Sequence, residues 1–372
     1  MREVQALVAQ GREAVSRNDL KAAREAFNAA LTRMPSGEDR FEAQEMAEIA
    51  EAWYEAFARQ GDTAEGREAA QEAAAYARLS MQKDPSQAAP HYTLGRVSRD
   101  LGQLEGAIAE LQEAARLDSG NYRYAFDLGR AYFANRDYNG ARQSFENTVN
   151  LNRSFESAWY NLGGAYRSLG RPDDALASYR RAVGVKPEYA AAHREIGRIL
   201  NARDDFRGAA EAFAKALEYA PNDVASAREL GAAQMAGGEY AAAEASFERA
   251  LRATPDDDQT NYNMAVVKLS RDKGDEALGY AQKAAELVPG SALYAYTLGL
   301  AAEAAGEFEA AAAAYGRAIS LDAAYIRPRI NLGNLYLDNG FAEEALRLLT
   351  AAYDREPASF EVNNNLGAAY AR

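Results

Sequence analysis

Glycine returns every 34 residues along most of this chain, at Gly95, Gly129, Gly163, Gly197 and Gly231, with Ala265 keeping step before Gly299, Gly333 and Gly367. A register held that long means one small unit copied end to end, each copy completing its apolar core against its neighbours. A globular chain of 372 residues would be expected to divide into two or three domains. A repeat array grows lengthwise and escapes that expectation. The expected architecture is therefore all-α, a solenoid of stacked helix-turn-helix units.

The residues within a unit carry the same message. Each has an apolar pattern of helical period, a break, and a second such pattern. Leu162 and Tyr166, with Leu128 and Tyr132 one unit earlier, form an i, i+4 core stripe on the first helix. The small residue after that leucine lets the second helix approach. The slot expected to face it holds Ala107, Ala141, Ala175, Ala209, Ala243, Ala277, Ala311 or Ala345. A larger side chain in either slot is expected to overpack the contact, at roughly 1–3 kcal/mol. Between the helices stand Gly102, Gly170, Gly238, Gly306 and Gly340, suited to the left-handed conformation past a helix end, with Asn18 in the first unit. Prolines such as Pro35, Pro187, Pro221 and Pro255 mark the ends of second helices.

The clearest unit, 156–189, reads Trp159-x2-Leu162-Gly163-x2-Tyr166, then Ala175-x3-Tyr179, Ala182 and Pro187. In each of these slots it resembles the tetratricopeptide repeat (TPR) family. The resemblance covers units starting at 4, 38, 88, 122, 156, 190, 224, 258, 292 and 326, with a partial one at 360. It implies a right-handed superhelical solenoid of about ten units, taken as a single array over 1–372. Its parts would be a first repeat at 4–37, an enlarged repeat at 38–87, eight regular repeats over 88–359, and the first helix of an incomplete repeat at 360–372. The enlarged unit exceeds the period by 16 residues, placed in helical stretches around 40–59 and 64–83.

Composition narrows the function. Cysteine is absent, which removes disulfides, thiolate metal sites and cysteine nucleophiles. The formal charge of −13 argues against nucleic-acid binding, and no apolar run is long enough for membrane insertion. The start, Met1-Arg2-Glu3-Val4, has no signal-peptide pattern, so a cytoplasmic location is expected, or a periplasmic or envelope-associated one if an export signal has been removed. His91 and His193 stand about three units apart and suit no shared metal or catalytic pair. Acidic pairs such as Asp173-Asp174, Asp204-Asp205 and Glu343-Glu344 open second helices, where they favour the positive end of the helix dipole. No catalytic constellation, metal or cofactor is expected, and the chain is not expected to be an enzyme.

The remaining candidate is the inner surface. In TPR superhelices the first helices line the concave face, so the resemblance directs attention to one stripe on each of them. Three residues before the glycine come Tyr92, Phe126, Tyr160, Arg194, Arg228, Tyr262 and Tyr296. One after it come Arg96, Arg130 and Arg198. Positions four after it complete the stripe. From 122 to 189 Lys and Arg number 10 against 7 Asp and Glu, while the rest of the chain has 32 against 48. Arginines and aromatics facing inward would hold an acidic or aromatic extended peptide or helix of another protein. The alternative is that these arginines pair with Asp127, Glu195 and Glu229 and merely solvate the groove. Asn161, Asn263, Asn331 and Asn365 are similar to the asparagine ladder of the TPR superhelix in O-GlcNAc transferase, but Asp127, Glu195, Glu229 and Thr297 interrupt it. The set by which some TPR modules clamp a chaperone's C-terminal carboxylate is missing, its lysine slots holding Tyr92, Phe126 or Arg194. The expected function is a non-catalytic scaffold or adaptor. The alternatives are the substrate-recruiting arm of a larger enzyme and a structural protein that self-associates through 360–372.

Overall fold

A computed structural model describes residues 1–371, and among these every regular element is helical. Two compact units divide the chain, Met1–Pro187 and Glu188–Arg372. The first holds α1 (Arg2–Ser16), α2 (Leu20–Thr32), α3 (Asp39–Gln60), α4 (Ala64–Lys83), α5 (Ala88–Asp100), α6 (Leu104–Leu117), α7 (Tyr122–Ala134), α8 (Tyr138–Leu151), α9 (Glu156–Ser168) and α10 (Pro172–Val185). The second holds α11 (Ala190–Asn201), α12 (Phe206–Tyr219), α13 (Val224–Ala236), α14 (Tyr240–Ala253), α15 (Asp258–Leu269), α16 (Gly274–Leu287), α17 (Ala292–Ala304), α18 (Phe308–Leu321), α19 (Arg327–Asp338), α20 (Ala342–Tyr353) and α21 (Phe360–Ala371). Odd-numbered helices are the first helices of their repeats, and even-numbered ones the second. This is an all-α helical-repeat solenoid.

The same turn closes every helical pair except α3–α4, where Gly61 N reaches back only four residues, to Phe57 O at 2.8 Å. Elsewhere the turn's backbone N–H reaches back five residues, as in Arg171 N to Tyr166 O (2.9 Å) and Glu239 N to Gln234 O (2.8 Å). One residue of that turn is left-handed, and the slot is usually glycine, as at Gly170 (φ 69°). Asn18, Arg136, Asp204 and Asp272 adopt the same conformation at φ 63°, 60°, 59° and 56°. The next helix then starts on a side-chain cap where an aspartate follows. Asp137 accepts from Gly140 N at 2.9 Å and Asp205 from Gly208 N at 3.0 Å. Asp204 therefore shapes the turn while Asp205 caps, whereas Asp173 and Asp174 lie in the first turn of α10.

The residue that meets each repeat glycine corrects one expectation. A Cβ built on Gly163 would lie 2.6 Å from Tyr179 Cε1, and one on Gly129 would lie 2.6 Å from Phe145 Cε1. The facing side chain is thus 16 residues on, one helical turn beyond the buried alanine taken from the sequence as the partner. Ala175 and Tyr179 share a face at i, i+4, and the ring reaches over the glycine while the alanine fits beside it. At the one repeat where Ala265 replaces glycine, the residue 16 further on is Ala281, so a methyl faces a methyl instead of a ring.

Within each unit successive first helices pack directly on one another, α17 and α19 excepted: α1 on α3, α3 on α5, α5 on α7 and α7 on α9, then α11 on α13, α13 on α15, α15 on α17 and α19 on α21. Successive second helices do not pack comparably, so the first helices form the inner side of each unit's curve.

Candidate functional site

In the first unit, the inner faces of α3, α5 and α7 carry a dense polar network. Arg96 lies between two rings, its guanidinium carbon 3.9 Å from the Tyr54 centroid and 4.2 Å from that of Tyr92, and it bonds Glu51. Burial disfavours the Arg96 charge, but Glu51 beside it more than offsets this, so the group stays charged. Thr93 donates to the same Glu51 carboxylate at 2.8 Å. Tyr92 donates to Asp127 Oδ2 at 2.6 Å, and burial followed by that carboxylate pushes its hydroxyl well above the ordinary tyrosine range. Asp127 also takes Arg99 at 2.5 Å and Arg130 at 3.0 Å. Tyr54 donates to Asp100 at 2.9 Å, and burial together with Asp100 pushes its hydroxyl up to about 12.

These contacts sort the expected residues by role. Arg96 is 12% exposed and sets the positions of two tyrosines, whereas Arg130 is 47% exposed and presents its head to solvent. Phe126 packs on Phe155 and Phe145 at centroid distances of 4.8 and 5.8 Å, so it belongs largely to the core. Tyr160 lies against Tyr179 at 5.5 Å, and Asn161 turns its amide to its own helix, donating to Ser157 O at 2.7 Å. Beside this network a cleft of about 310 Å³ opens between Arg12, Glu48, Glu51, Tyr92, Arg123 and Tyr124. The Tyr92 and Tyr124 rings lie 4.5 Å apart within it.

The second unit brings three of the expected arginines together. Arg194 bonds Asp223 at 3.0 Å, and Arg228 bonds Asp257 at 2.8 Å. Arg198 bridges Glu195 at 2.7 Å and Glu229 at 2.6 Å. The partners at Asp127, Glu195 and Glu229 are those weighed from the sequence, whereas Asp223 and Asp257, the last residues of the arginines' own repeats, were not. Further along, Tyr262 stacks on Tyr294 at 5.1 Å, and Tyr296 lies edge-on to Tyr325 at 5.2 Å. Each inner-face arginine here keeps between 27 and 42% of its side chain exposed while paired.

Several members of the network escaped the sequence reading. Glu51 and Tyr54 lie in the enlarged repeat, where the 34-residue register is interrupted and slots cannot be counted. Arg99 carried a signal, since it stands four after Gly95 on the same stripe. In α21, Phe360 and Tyr370 are 85% and 70% exposed, while Arg372 lies outside the described residues. Among the described residues, no helix is long and apolar enough to cross a membrane.

Comparison with known proteins agrees with this architecture. A family model described as tetratricopeptide repeat matches residues 52–122, 126–193, 165–206, 194–258, 262–326 and 330–372. The chain is similar to the C-terminal part of a TPR repeat-containing protein from Cytophaga hutchinsonii, at 17% identity over 66% of this chain and 99% of that one, with a TM-score of 0.53. It also matches a MamA structure at 24% identity over 44% of this chain and 90% of that one, with a TM-score of 0.43. A third match is YrrB, described as a TPR protein with an unusual peptide-binding site, at 20% identity over 59% of this chain and 95% of that one, with a TM-score of 0.38. No curated protein matches the chain. Its repeat register, its paired helices and the span of that family match place this chain in the tetratricopeptide-repeat family, whose members build protein-interaction scaffolds.

Proposed function

We propose that the chain is a non-catalytic adaptor whose first-helix faces take an extended segment or helix of another protein, with acidic or aromatic side chains. The observation that carries this reading is the repeated pairing of partly exposed arginines on the inner face, Arg194 with Asp223 and Arg228 with Asp257. A partner carboxylate reaching Arg228 would find its fork already oriented by Asp257, and bidentate geometry favours that exchange. Arg198, held between Glu195 and Glu229, adds a third head, and the tyrosines at Tyr262 and Tyr296 continue the face with apolar area. In the first unit, Arg130 and the Tyr92 ring in the adjoining cleft supply the corresponding surface, with Arg96 positioning that ring. The pairs are only partly buried, so a partner's carboxylate can reach the arginine heads without unpacking the helices.

The test is affinity capture with wild type and the Arg194→Glu/Arg198→Glu/Arg228→Glu variant in parallel, at low and high salt. The captured segment is then identified by cross-linking. The reading predicts a segment lost by the variant and weakened by salt; equal retention by both proteins would overturn it. A second reading, self-association through 360–372, rests on the exposure of Phe360 and Tyr370. Sedimentation at two protein concentrations tests it, and an unchanged monomeric mass counts against it.

A further inference from the structure

The basic excess of 122–189 also appears away from the inner face. A cleft of about 760 Å³ opens in the first unit among α8, α9 and α10, lined by Val149, Asn150, Arg153, Trp159, Arg180 and Arg181, with Ala177, Gly184 and Val185 completing it. Two of the three helices are second helices, and Trp159 is the one contribution from a first helix. The Trp159 indole N–H donates to the Arg153 carbonyl at 2.9 Å, which fixes the ring against the loop that carries that arginine. No carboxylate lines the cleft, and among the described residues none pairs with Arg153, Arg180 or Arg181. Three unneutralised guanidiniums thus share one concavity in a chain whose formal charge is −13.

The corresponding position in other repeats shows how unusual this is. The slot of Arg181 recurs as Lys215, Arg249, Lys283 and Arg317. Lys215 pairs with Glu218 at 2.7 Å and Lys283 with Asp256 at 2.7 Å. Arg249 donates to Pro221 O at 2.5 Å and Arg317 to Pro289 O at 2.9 Å. Each of those cations is satisfied by its own chain, while Arg181 is left without such a partner and is joined by two more.

We propose that this cleft binds a short acidic segment of a protein partner, its carboxylates on Arg153, Arg180 and Arg181 and one apolar side chain against Trp159 and Val149. Arginine forks match carboxylates bidentately, and an aromatic wall beside them adds contact area at low entropic cost. A duplex or a flat lipid surface presents its charge over an area far wider than this cleft, and the acidic remainder of the chain repels it. A few residues of acidic peptide concentrate charge where the arginines are.

The site reports on itself, because the chain has two tryptophans, Trp53 and Trp159, and Trp53 is buried in the core. The indole N–H signals of 15N-labelled protein are followed while adding a synthetic peptide of glutamates flanking one leucine and one phenylalanine; Trp159→Phe assigns the signal. Tripolyphosphate and phosphatidylserine vesicles are titrated in separate arms. The expected result is a saturable, salt-sensitive shift of the Trp159 signal, with affinity weakened about tenfold or more in Arg180→Glu/Arg181→Glu. In the Arg194→Glu/Arg198→Glu/Arg228→Glu variant the peptide still shifts the Trp159 signal with the wild-type concentration dependence, whatever that variant loses at the inner face, which separates the two sites. Both arginines of the double variant are exposed, and circular dichroism confirms its fold. Equal weakening by both variants, a Trp159 signal that does not move, or a response to phosphate or vesicles but not to peptide would overturn the proposal.

Discussion

Arg228 donates to Asp257 at 2.8 Å, and one repeat earlier Arg194 makes the same reach to Asp223 at 3.0 Å. Each aspartate also caps the next first helix, Asp223 taking Ala225 N at 3.2 Å and Asp257 taking Thr260 N at 2.7 Å. One carboxylate therefore joins an inner-face arginine to the start of the following repeat. Burial works to raise both carboxyls, but the caps, neighbouring hydroxyls and arginines more than offset it, leaving them below the usual aspartate range. On the proposed inner-face binding, a ligand that draws Arg228 away would release one of Asp257's partners and so couple recognition to stacking.

A folded-state value below the unfolded one means stability that is present above the ordinary aspartate value of about 3.9 and lost as pH falls through the folded value. Asp257→Asn keeps an acceptor for the cap but removes the charge facing Arg228. Its expected cost is about 1 kcal/mol at neutral pH, shrinking towards zero in strong acid. Urea midpoints of both proteins at neutral pH and near pH 3 check this. A gap that persists unchanged in acid would show that the charge is not responsible.

The glycine slot makes a second prediction. A Cβ on Gly231 would lie 2.7 Å from Phe247 Cδ1, so Gly231→Ala should destabilise by roughly 1–3 kcal/mol. In a Phe247→Ala background the same added methyl should cost nothing or stabilise by up to about 1 kcal/mol, because alanine is the better helix former. The pair would then mimic Ala265 and Ala281. A thermal-melt double-mutant cycle measures the coupling, and independent effects would refute the ring-over-glycine contact.

Much of the fold was legible because its determinants are local and repeated. Gly163, Leu162 and Tyr166 recur at one spacing, so each weak signal is confirmed many times over. The ring at Tyr179 was visible in the sequence, but its contact with Gly163 depends on how two helices cross, which spacing alone does not state. The inner-face arginines were legible as a stripe. Their partners at Asp223 and Asp257 were not, because those lie beyond the second helix and meet the arginines only once repeats stack. The triple-arginine cleft was legible only as a charge imbalance in 122–189, since its members come from a loop and two faces of α10.

Arg136 occupies the left-handed turn position at φ 60° where most repeats place glycine. An L side chain there carries a steric cost that glycine lacks, partly offset by glycine's greater freedom when unfolded. Arg136→Gly should raise stability by about 0.5–1 kcal/mol, read as a higher melting temperature. A lower one would mean that the arginine side chain stabilises the turn by contacts of its own.

Lys268 supplies the sharpest stability test. It stands in the slot that Tyr132, Tyr166 and Tyr336 fill in other repeats, yet its side chain is only 4% exposed. It donates to Glu244 at 2.5 Å and also bonds Glu276, while Arg271 pairs with the other Glu244 oxygen and Lys273 approaches the one bound by Lys268 at 3.5 Å. Burial opposes the lysine charge, but the two carboxylates outweigh it and hold the ammonium above its ordinary value; Glu244, likewise opposed by burial, ends below its own. The lysine's contribution is therefore intact below the ordinary lysine value and lost only as pH rises through the higher folded one. Lys268→Ala leaves Glu244 and an emptied core slot behind, at an expected cost of about 3 kcal/mol. Pairing Lys268→Tyr with Glu244→Ile places in the two slots what Tyr132 and Ile108 hold four repeats earlier and should recover most of that loss, since apolar replacement of a buried ion pair is often neutral or stabilising. Urea midpoints of the three proteins decide the matter. A Lys268→Ala cost under about 1 kcal/mol would mean that Arg271 and Lys273 already neutralise Glu244 without it.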